Sequence, residues 1–467
     1  MPAYYKKSNE NSKKSGKHGS QMTEGNILKS FILFAIPLFL GSLFQQLYGT
    51  VDLLFVGNIL GKNDAAAVGS SSILVTCLIG LFTGISVGAG VVTAQYWGAK
   101  DKDNVIHSIE NALIIGLFGG ILLTVIGEAL CGSALRWLSV PESIMNHAAA
   151  YLRIYLLSVL PMIMYNMSAA ILRAVGDSKT PFFVLAAGGI LNVCMDALFI
   201  GFLDMGVTGA AFATMVSQLF TAIVLTIFLL QKEKLFRKRW KIDTNLAIKI
   251  ITMGVPLGIQ SMILTLSNLV VQYYINGFGE NDIAAFSIYF KVETLIYLPI
   301  MAFGQAMVTF VGQNIGAGKT KRIKKAALEC NLFSVAVIGT ISGFFLLFGR
   351  DVLALFCSDE TVIAEGLKII HISFPFYFIY SILEVTGSIL RGVGKTLQSM
   401  VIVIVTLCGF RIALLKTLLV KWHTIQAVAA VYPLTWFCAA VLFTGCWFYY
   451  KNKMNFYGLE RKKLTEE

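Results

Sequence analysis

Long apolar blocks, separated by short polar stretches, fill almost the whole of this chain. Twelve can be drawn, at 29–58, 65–97, 105–130, 143–172, 181–201, 207–230, 245–277, 284–315, 326–349, 362–390, 398–420 and 427–450. Each is long enough to cross the roughly 30 Å hydrocarbon core of a bilayer as a helix. The pattern predicts an all-α membrane protein with twelve transmembrane helices. Several blocks are longer than a perpendicular crossing needs, so those helices should tilt, kink or protrude. Pro37, Pro161, Pro256, Pro299 and Pro375 fall inside blocks and are the expected kink points, since proline removes a helical hydrogen bond.

The pattern also repeats. Leu172-Arg173 and Gly176 return as Leu390-Arg391 and Gly394, 218 positions later. Gln95, Gly98 and Ala99 return as Gln313, Gly316 and Ala317 at the same offset, and Pro37-Leu38 returns as Pro256-Leu257 at 219. Matches at nearly one offset indicate two homologous halves. The expected organisation is a tail at 1–28, a six-helix lobe at 29–230, a linker at 231–244, a second six-helix lobe at 245–450 and a tail at 451–467. Six is even, so both halves enter the membrane in the same sense and their symmetry axis should run along its normal.

Composition supports this and excludes other classes. The chain is 56% hydrophobic and 14% charged, too apolar for a soluble fold of 467 residues. The net charge of +12 comes from loops rather than a nucleic-acid-binding face. Lysines and arginines gather in the stretch through Lys29, in 231–249, in 319–325 and after 450. With the N-terminus inside, 29 of the 38 are cytoplasmic. The positive-inside rule then places both termini in the cytoplasm of a multi-pass inner-membrane protein. The Lys-rich first 28 residues lack the apolar core and cleavage site of a signal peptide. The 231–243 stretch reads as an amphipathic segment at the inner surface. The eight cysteines form no CxxC pair, the five histidines have no metal-ligand spacing, and there is no GxxxxGK[ST] phosphate loop. The expectation is a monomeric, cofactor-free non-enzyme whose partners are lipid and small molecules.

Intramembrane carboxylates carry the sharpest chemical signal, because an unpaired one is costly in hydrocarbon. Asp52 lies about six residues before the outer end of span 1, Asp196 about five before that of span 5, and Thr214 about seven after the outer start of span 6. At ~1.5 Å per residue they share a depth of ~7–11 Å below the outer surface. Asn192 is one turn before Asp196 and shares its face. Two carboxylates, an amide carbonyl and a hydroxyl suit a hard cation such as Na⁺. Adjacent carboxylates can equally hold a proton, so Na⁺ and H⁺ fit about equally well. Tyr48, one turn before Asp52, either hydrogen-bonds it or packs beside it.

In the second half, Val270 or Val271 stands where Asp52 would be, and no Asn-x-x-x-Asp returns in span 11. That half instead has Lys291 and Glu293 in span 8, Glu384 in span 10 and Arg411 in span 11. Lys291 and Glu293, two apart, point to different faces. Tyr48, Glu293 and Glu384 are candidates for a substrate or second-lobe site, and Glu384 is equally a candidate structural partner for a basic group. Arg173 and Arg391 sit at inner helix ends, where a cation suits the helix dipole. Gln95 and Gln313 fit lobe packing or helix termination.

Several of these elements resemble the signature of the MATE (multidrug and toxic compound extrusion) family. They are Pro37, Gln46-x-Tyr48-x-x-Val51-Asp52, Gly57, Gly61-x-x-x-Ala65-Ala66, Gln95-x-x-Gly98-Ala99, Leu172-Arg173-x-x-Gly176-Asp177 with Pro181, Asn192-x-x-x-Asp196, and Gly209 through Thr214. The resemblance spans about 27–450. It implies a V-shaped, two-lobed exporter exchanging Na⁺ or H⁺ inward for organic, cationic, amphipathic compounds outward by alternating access. It also implies that Asp52, Asn192, Asp196 and Thr214 form the first-lobe cation site. Alternatives are a lipid-linked saccharide flippase of the same superfamily, against which the acids Asp52, Asp196 and Glu384 argue, and a channel or receptor.

Overall fold

The computed structural model describes residues 22–466 apart from 56, 58–61, 138–139, 234 and 236–239. No side chain is described at 53–54, 62–68, 70–78 or 454–466. Gly61, most of the N-terminal tail and part of the linker therefore lie outside the described residues. Among the described residues, twelve helices or helix pairs are long and apolar enough to cross a membrane.

In the first half these are Ile27–Phe55, Lys62–Gly98, Lys102–Trp137, the pair Glu142–Leu157 and Val159–Ala174, Lys179–Asp196, and Gly206–Lys232. In the second half they are Thr244–Ile275, Glu280–Gly316, Thr320–Ala354, the pair Glu360–Ser373 and Tyr377–Val393, the pair Thr396–Val403 and Arg411–Lys421, and Ile425–Glu466. They are numbered below as spans 1 to 12. The last helix runs well past position 450. Two of the five prolines coincide with breaks. Span 4 is interrupted at Ser158, three residues before Pro161, and span 10 tightens into a 3₁₀ turn, Phe374–Phe376, around Pro375. Pro37, Pro256 and Pro299 sit within unbroken helices. A π turn, Ala197–Phe202, begins directly after Asp196, and another, Ile404–Phe410, ends directly before Arg411. Such turns re-aim side chains and are frequent at functional sites.

The repeated Leu-Arg-x-x-Gly motif is a helix stop. Gly176 and Gly394 adopt φ of 91° and 94°. Their N–H groups donate to the carbonyls of Arg173 and Arg391, and the next residues donate to Leu172 and Leu390, each at 2.9 Å. Only glycine takes that left-handed turn at little cost, which is why it returns in both halves.

The halves meet at the end that carries the basic loops. Glycines let spans 2 and 7 touch backbone to backbone: a Cβ on Gly84 would lie 2.0 Å from Gly258 N, and one on Gly88 would lie 2.6 Å from Gly254 Cα. Close approach of this kind is how membrane helices gain packing energy without a hydrophobic driving force. Nearer the basic end, Gly98 abuts the Gln313 carbonyl and Gly316 abuts the Gln95 carbonyl. Residues 22–25 strap onto the second half. The Met22 N–H donates to Gln313 Oε1 at 3.1 Å, and Arg322 donates to the Met22, Glu24 and Gly25 carbonyls. In the loop after span 4, Asp177 accepts from Lys232 Nζ at 2.8 Å and from the Thr180 N–H and hydroxyl. Burial pushes the Asp177 carboxyl up, but these donors outweigh it and hold it below the usual carboxylate range.

Candidate functional site

A cavity of about 710 Å³ opens among spans 1, 2, 4, 5 and 6, and among the described residues of the second half only Ser261 and Gln305 reach it. Its volume is in the range of small-molecule sites. Pro37 and Leu38 lie on its wall where span 1 passes.

Three of the four residues of the expected cation site, Asp52, Asn192 and Thr214, line this cavity. The fourth, Asp196, is fully buried and is not on the wall. The α-helical turn explains the arrangement: Asn192 and Asp196 share a face of span 5, and that face packs inward. Asp52 Oδ1, Asn192 Oδ1 and both Asp196 oxygens are buried and accept no hydrogen bond from the described residues. Buried acceptors left this way cost about 1–3 kcal/mol each, more when charged. A proton or a hard cation would remove that cost, and the donor set, all oxygen, suits either.

Tyr48 stands on the wall beside this group, its ring pressed on Gly189; a Cβ there would come within 2.8 Å of Tyr48 Cδ1. Tyr151 and Tyr155 of span 4, with ring centroids 5.7 Å apart, complete an aromatic wall. Sequence reasoning missed both, along with Gln218. Their i,i+4 spacing was legible, but tyrosines at that spacing pack against lipid or neighbouring helices as readily as they line a chamber.

The second-half acids are elsewhere and are occupied. Glu293 accepts from the Tyr377 hydroxyl, which lies 3.4 Å from that of Tyr289. Glu384 accepts from Arg391 and, at 3.4 Å, from Ser388. Neither lines the cavity. Arg411 donates to Asn268 at 3.2 Å and lies over the Tyr432 ring. Lys291 is exposed, with its ammonium 5.9 Å from the Phe356 ring, away from Glu293 as the two-residue spacing requires. Arg391 thus has an acidic partner, whereas Arg173 lines the cavity.

Comparison with known proteins is consistent with this geometry. The MatE family model matches twice, over residues 37–198 and 256–415, once in each half. The chain is 31% identical to the probable multidrug resistance protein YpnP of Bacillus subtilis (strain 168) over 390 residues, covering 81% of this chain and 86% of that one. It is 28% identical to the probable multidrug resistance protein YoeA of the same strain, covering 83% and 86%. In fold it is similar to an outward-facing conformation of a multidrug resistance MATE family transporter of the MOP superfamily. The TM-score is 0.85 at 22% identity, over 93% of this chain and 98% of that one. A crystal structure of a MATE protein in the bent conformation gives 0.82 at 23% identity, over 94% and 98%.

Proposed function

The chain belongs to the MATE family of multidrug transporters, and we propose that it is a cation-coupled antiporter exporting amphipathic organic compounds by alternating access. The observation that carries this reading is the set of buried acceptors without donors among the described residues, Asp52 Oδ1, Asn192 Oδ1 and the two Asp196 oxygens, beside a drug-sized cavity. Na⁺ or H⁺ entering from outside would bind Asp52, Asn192, Asp196 and Thr214. Charge neutralisation there would change the packing of span 1 near Pro37 and lower affinity for a positively charged substrate group. Coupling of this kind is reciprocal, so bound substrate weakens ion binding by the same factor. Tyr48 borders the ion site, and Glu293 and Glu384 serve the second half as paired, positioning charges. The basic loops support an orientation with both termini cytoplasmic.

The flippase alternative is not favoured. The relatives are multidrug proteins, and the Asp52 carboxylate on the cavity wall would repel a pyrophosphate-linked lipid. The test is ethidium efflux from proteoliposomes with Na⁺ and pH gradients imposed separately. Efflux driven by at least one gradient is expected; efflux indifferent to both would overturn the antiport reading.

A further inference from the structure

Each half is entered through a short segment just ahead of its first span, and only one of the two is gripped. Residues 22–25 lead into span 1, and their counterparts 218 positions later, 240–243, lead into span 7. Met22 is fully buried in the core of the second half. All four carbonyls of 22–25 accept from second-half side chains. Arg322 takes three of them, Met22 at 3.2 Å, Glu24 at 2.9 Å and Gly25 at 2.7 Å. Lys319 takes Thr23 at 2.9 Å, and Asn314 shares Met22 at 3.2 Å. At 240–243, no side chain among the described residues donates to a carbonyl, and Trp240 is 41% exposed. There the Lys241 and Asp243 N–H groups donate to Glu110 and Asn111 of span 3. The counterparts of Lys319 and Arg322 are Asp101 and Asn104, which bond to each other.

The gripped segment ends on a side chain that joins the halves. The Met22 N–H donates to Gln313 Oε1 at 3.1 Å, and Gln313 Nε2 donates to the Ala174 carbonyl of the first half at 2.8 Å. A primary amide has one accepting and one donating end. Turned over, Gln313 would set its NH₂ group against the Met22 N–H and its oxygen against the Ala174 carbonyl, so both bonds would fail together. The seated segment therefore fixes which end of Gln313 faces the first half. Gln95, the counterpart, has no described donor on its oxygen, and its bond to the Gly392 carbonyl is longer, 3.2 Å. Arg322 is suited to the grip. Its planar fork spreads N–H donors over neighbouring carbonyls, as a lysine ammonium cannot, and its guanidinium carbon lies 5.4 Å from the Phe310 ring centroid.

We propose that residues 22–25 latch the gate at the basic end, and that Arg322 is the positioning residue of this latch, acting through the Met22 N–H on Gln313. The inference rests on the reading of the chain as an alternating-access exporter, whose basic end must open in each cycle. The segment belongs to span 1 of the first half yet is seated in the second. While seated, it holds Gln313 donating across to Ala174; unseated, it leaves that amide free to turn. The two cross-bonds are therefore unequal in control: the Gln313 bond answers to the N-terminal segment, and the Gln95 bond does not.

Spin labels at Lys102→Cys and Leu397→Cys, both exposed at the basic end, test it in full-length protein freed of its native cysteines. Double electron–electron resonance over a range of pH and Na⁺ reads the ratio of closed to open protein. Arg322→Gln should lower that ratio roughly fivefold, the worth of one net hydrogen bond. Because Arg322 acts through Gln313, adding Arg322→Gln to Gln313→Leu should open the gate no further, whereas adding it to Gln95→Leu should multiply the two effects. Arg322→Lys keeps the charge without the fork and should fall between wild type and Arg322→Gln. Met22→Pro removes the N–H and leaves Arg322 in place; it should open the gate like Arg322→Gln, and it decides the matter if Arg322→Gln does not fold. Met22→Leu keeps the N–H and is the packing control. If Gln95→Leu and Gln313→Leu change the ratio while Arg322→Gln and Met22→Pro leave it unchanged, the latch alone falls. Equal opening by Met22→Leu, or full multiplication of Arg322→Gln with Gln313→Leu, overturns it too. One unvarying distance in the parent and every variant, at all pH and Na⁺ values, removes the alternating-access reading and the latch with it.

Discussion

Gln95 of span 2 and Gln313 of span 8 perform the same act in opposite directions. Gln95 Nε2 donates to the Gly392 carbonyl at 3.2 Å, and Gln313 Nε2 donates to the Ala174 carbonyl at 2.8 Å. Donors and acceptors are each 218 residues apart, so the two bonds are related by the repeat. Each glutamine reaches out of its own half to the last turn of a helix in the other, where free carbonyls await a donor. The pair joins the halves at the basic end, and each bond must break if that end is to open.

Replacing Gln95 or Gln313 by Leu should therefore weaken closure of the basic end. Each net hydrogen bond is worth ~1 kcal/mol, about fivefold in the ratio of closed to open protein. Spin labels at Lys102→Cys and Lys321→Cys, in a protein freed of its native cysteines, would report this as a growing population of longer distances. A distance distribution identical to that of the parent would argue that the two bonds do not hold the halves together.

The glycine contact between spans 2 and 7 should tolerate no added methyl. Gly84→Ala places a carbon 2.0 Å from Gly258 N, and a backbone atom there cannot turn aside. Overpacking of this kind costs roughly 1–3 kcal/mol. Gly445→Ala, where nothing lies within 4 Å, is the matched control. Thermal unfolding in detergent should separate them, with a lowered midpoint for Gly84→Ala only.

Asp52→Asn keeps the shape of the side chain and removes its charge. It should abolish ion-coupled efflux while leaving expression and membrane insertion intact. Substrate affinity of the wild type should fall as pH drops or Na⁺ rises, and that dependence should vanish in the variant. Binding titrations over pH and Na⁺ check both parts; wild-type efflux from folded Asp52→Asn protein would remove this residue from the ion site.

Asn192, Asp196 and Thr214 should behave with Asp52 as one unit. Losses in ion affinity from residues sharing a site are non-additive. A double variant such as Asp52→Asn with Asp196→Asn should be no worse than the more damaging single change. Simple addition of the two losses would place the residues in separate sites.

Asp177 offers a pH test outside the membrane spans. Its folded-state value lies below the ordinary 3.8, so the stability it contributes is present above that value and is lost as pH falls through the folded one. At neutral pH, Asp177→Asn should cost on the order of 1–2 kcal/mol, from the lost bonds to Lys232 and Thr180. Unfolding midpoints of wild type and variant should converge as the pH falls well below the ordinary carboxylate range. A constant gap across the acid range would contradict the assignment.

Hydropathy by itself determined the twelve spans, and the fixed offset of 218 determined the duplication, because both are local or linear properties of the chain. The expectation of a shared depth came from the same kind of counting: a helix rises ~1.5 Å per residue, so distance from span ends puts Asp52, Asp196 and Thr214 at one expected level. Rotation about each helix axis and choice of partner were decided only by tertiary packing. Packing set Asn192 and Thr214 on the cavity wall but Asp196 behind it, and turned Tyr151 and Tyr155 inward. It gave Arg391 an acid and left Arg173, in the same motif, facing the cavity. A motif specifies what a side chain can bond, but the neighbours that arrive from distant helices determine what it does bond, and those neighbours differ between the two halves.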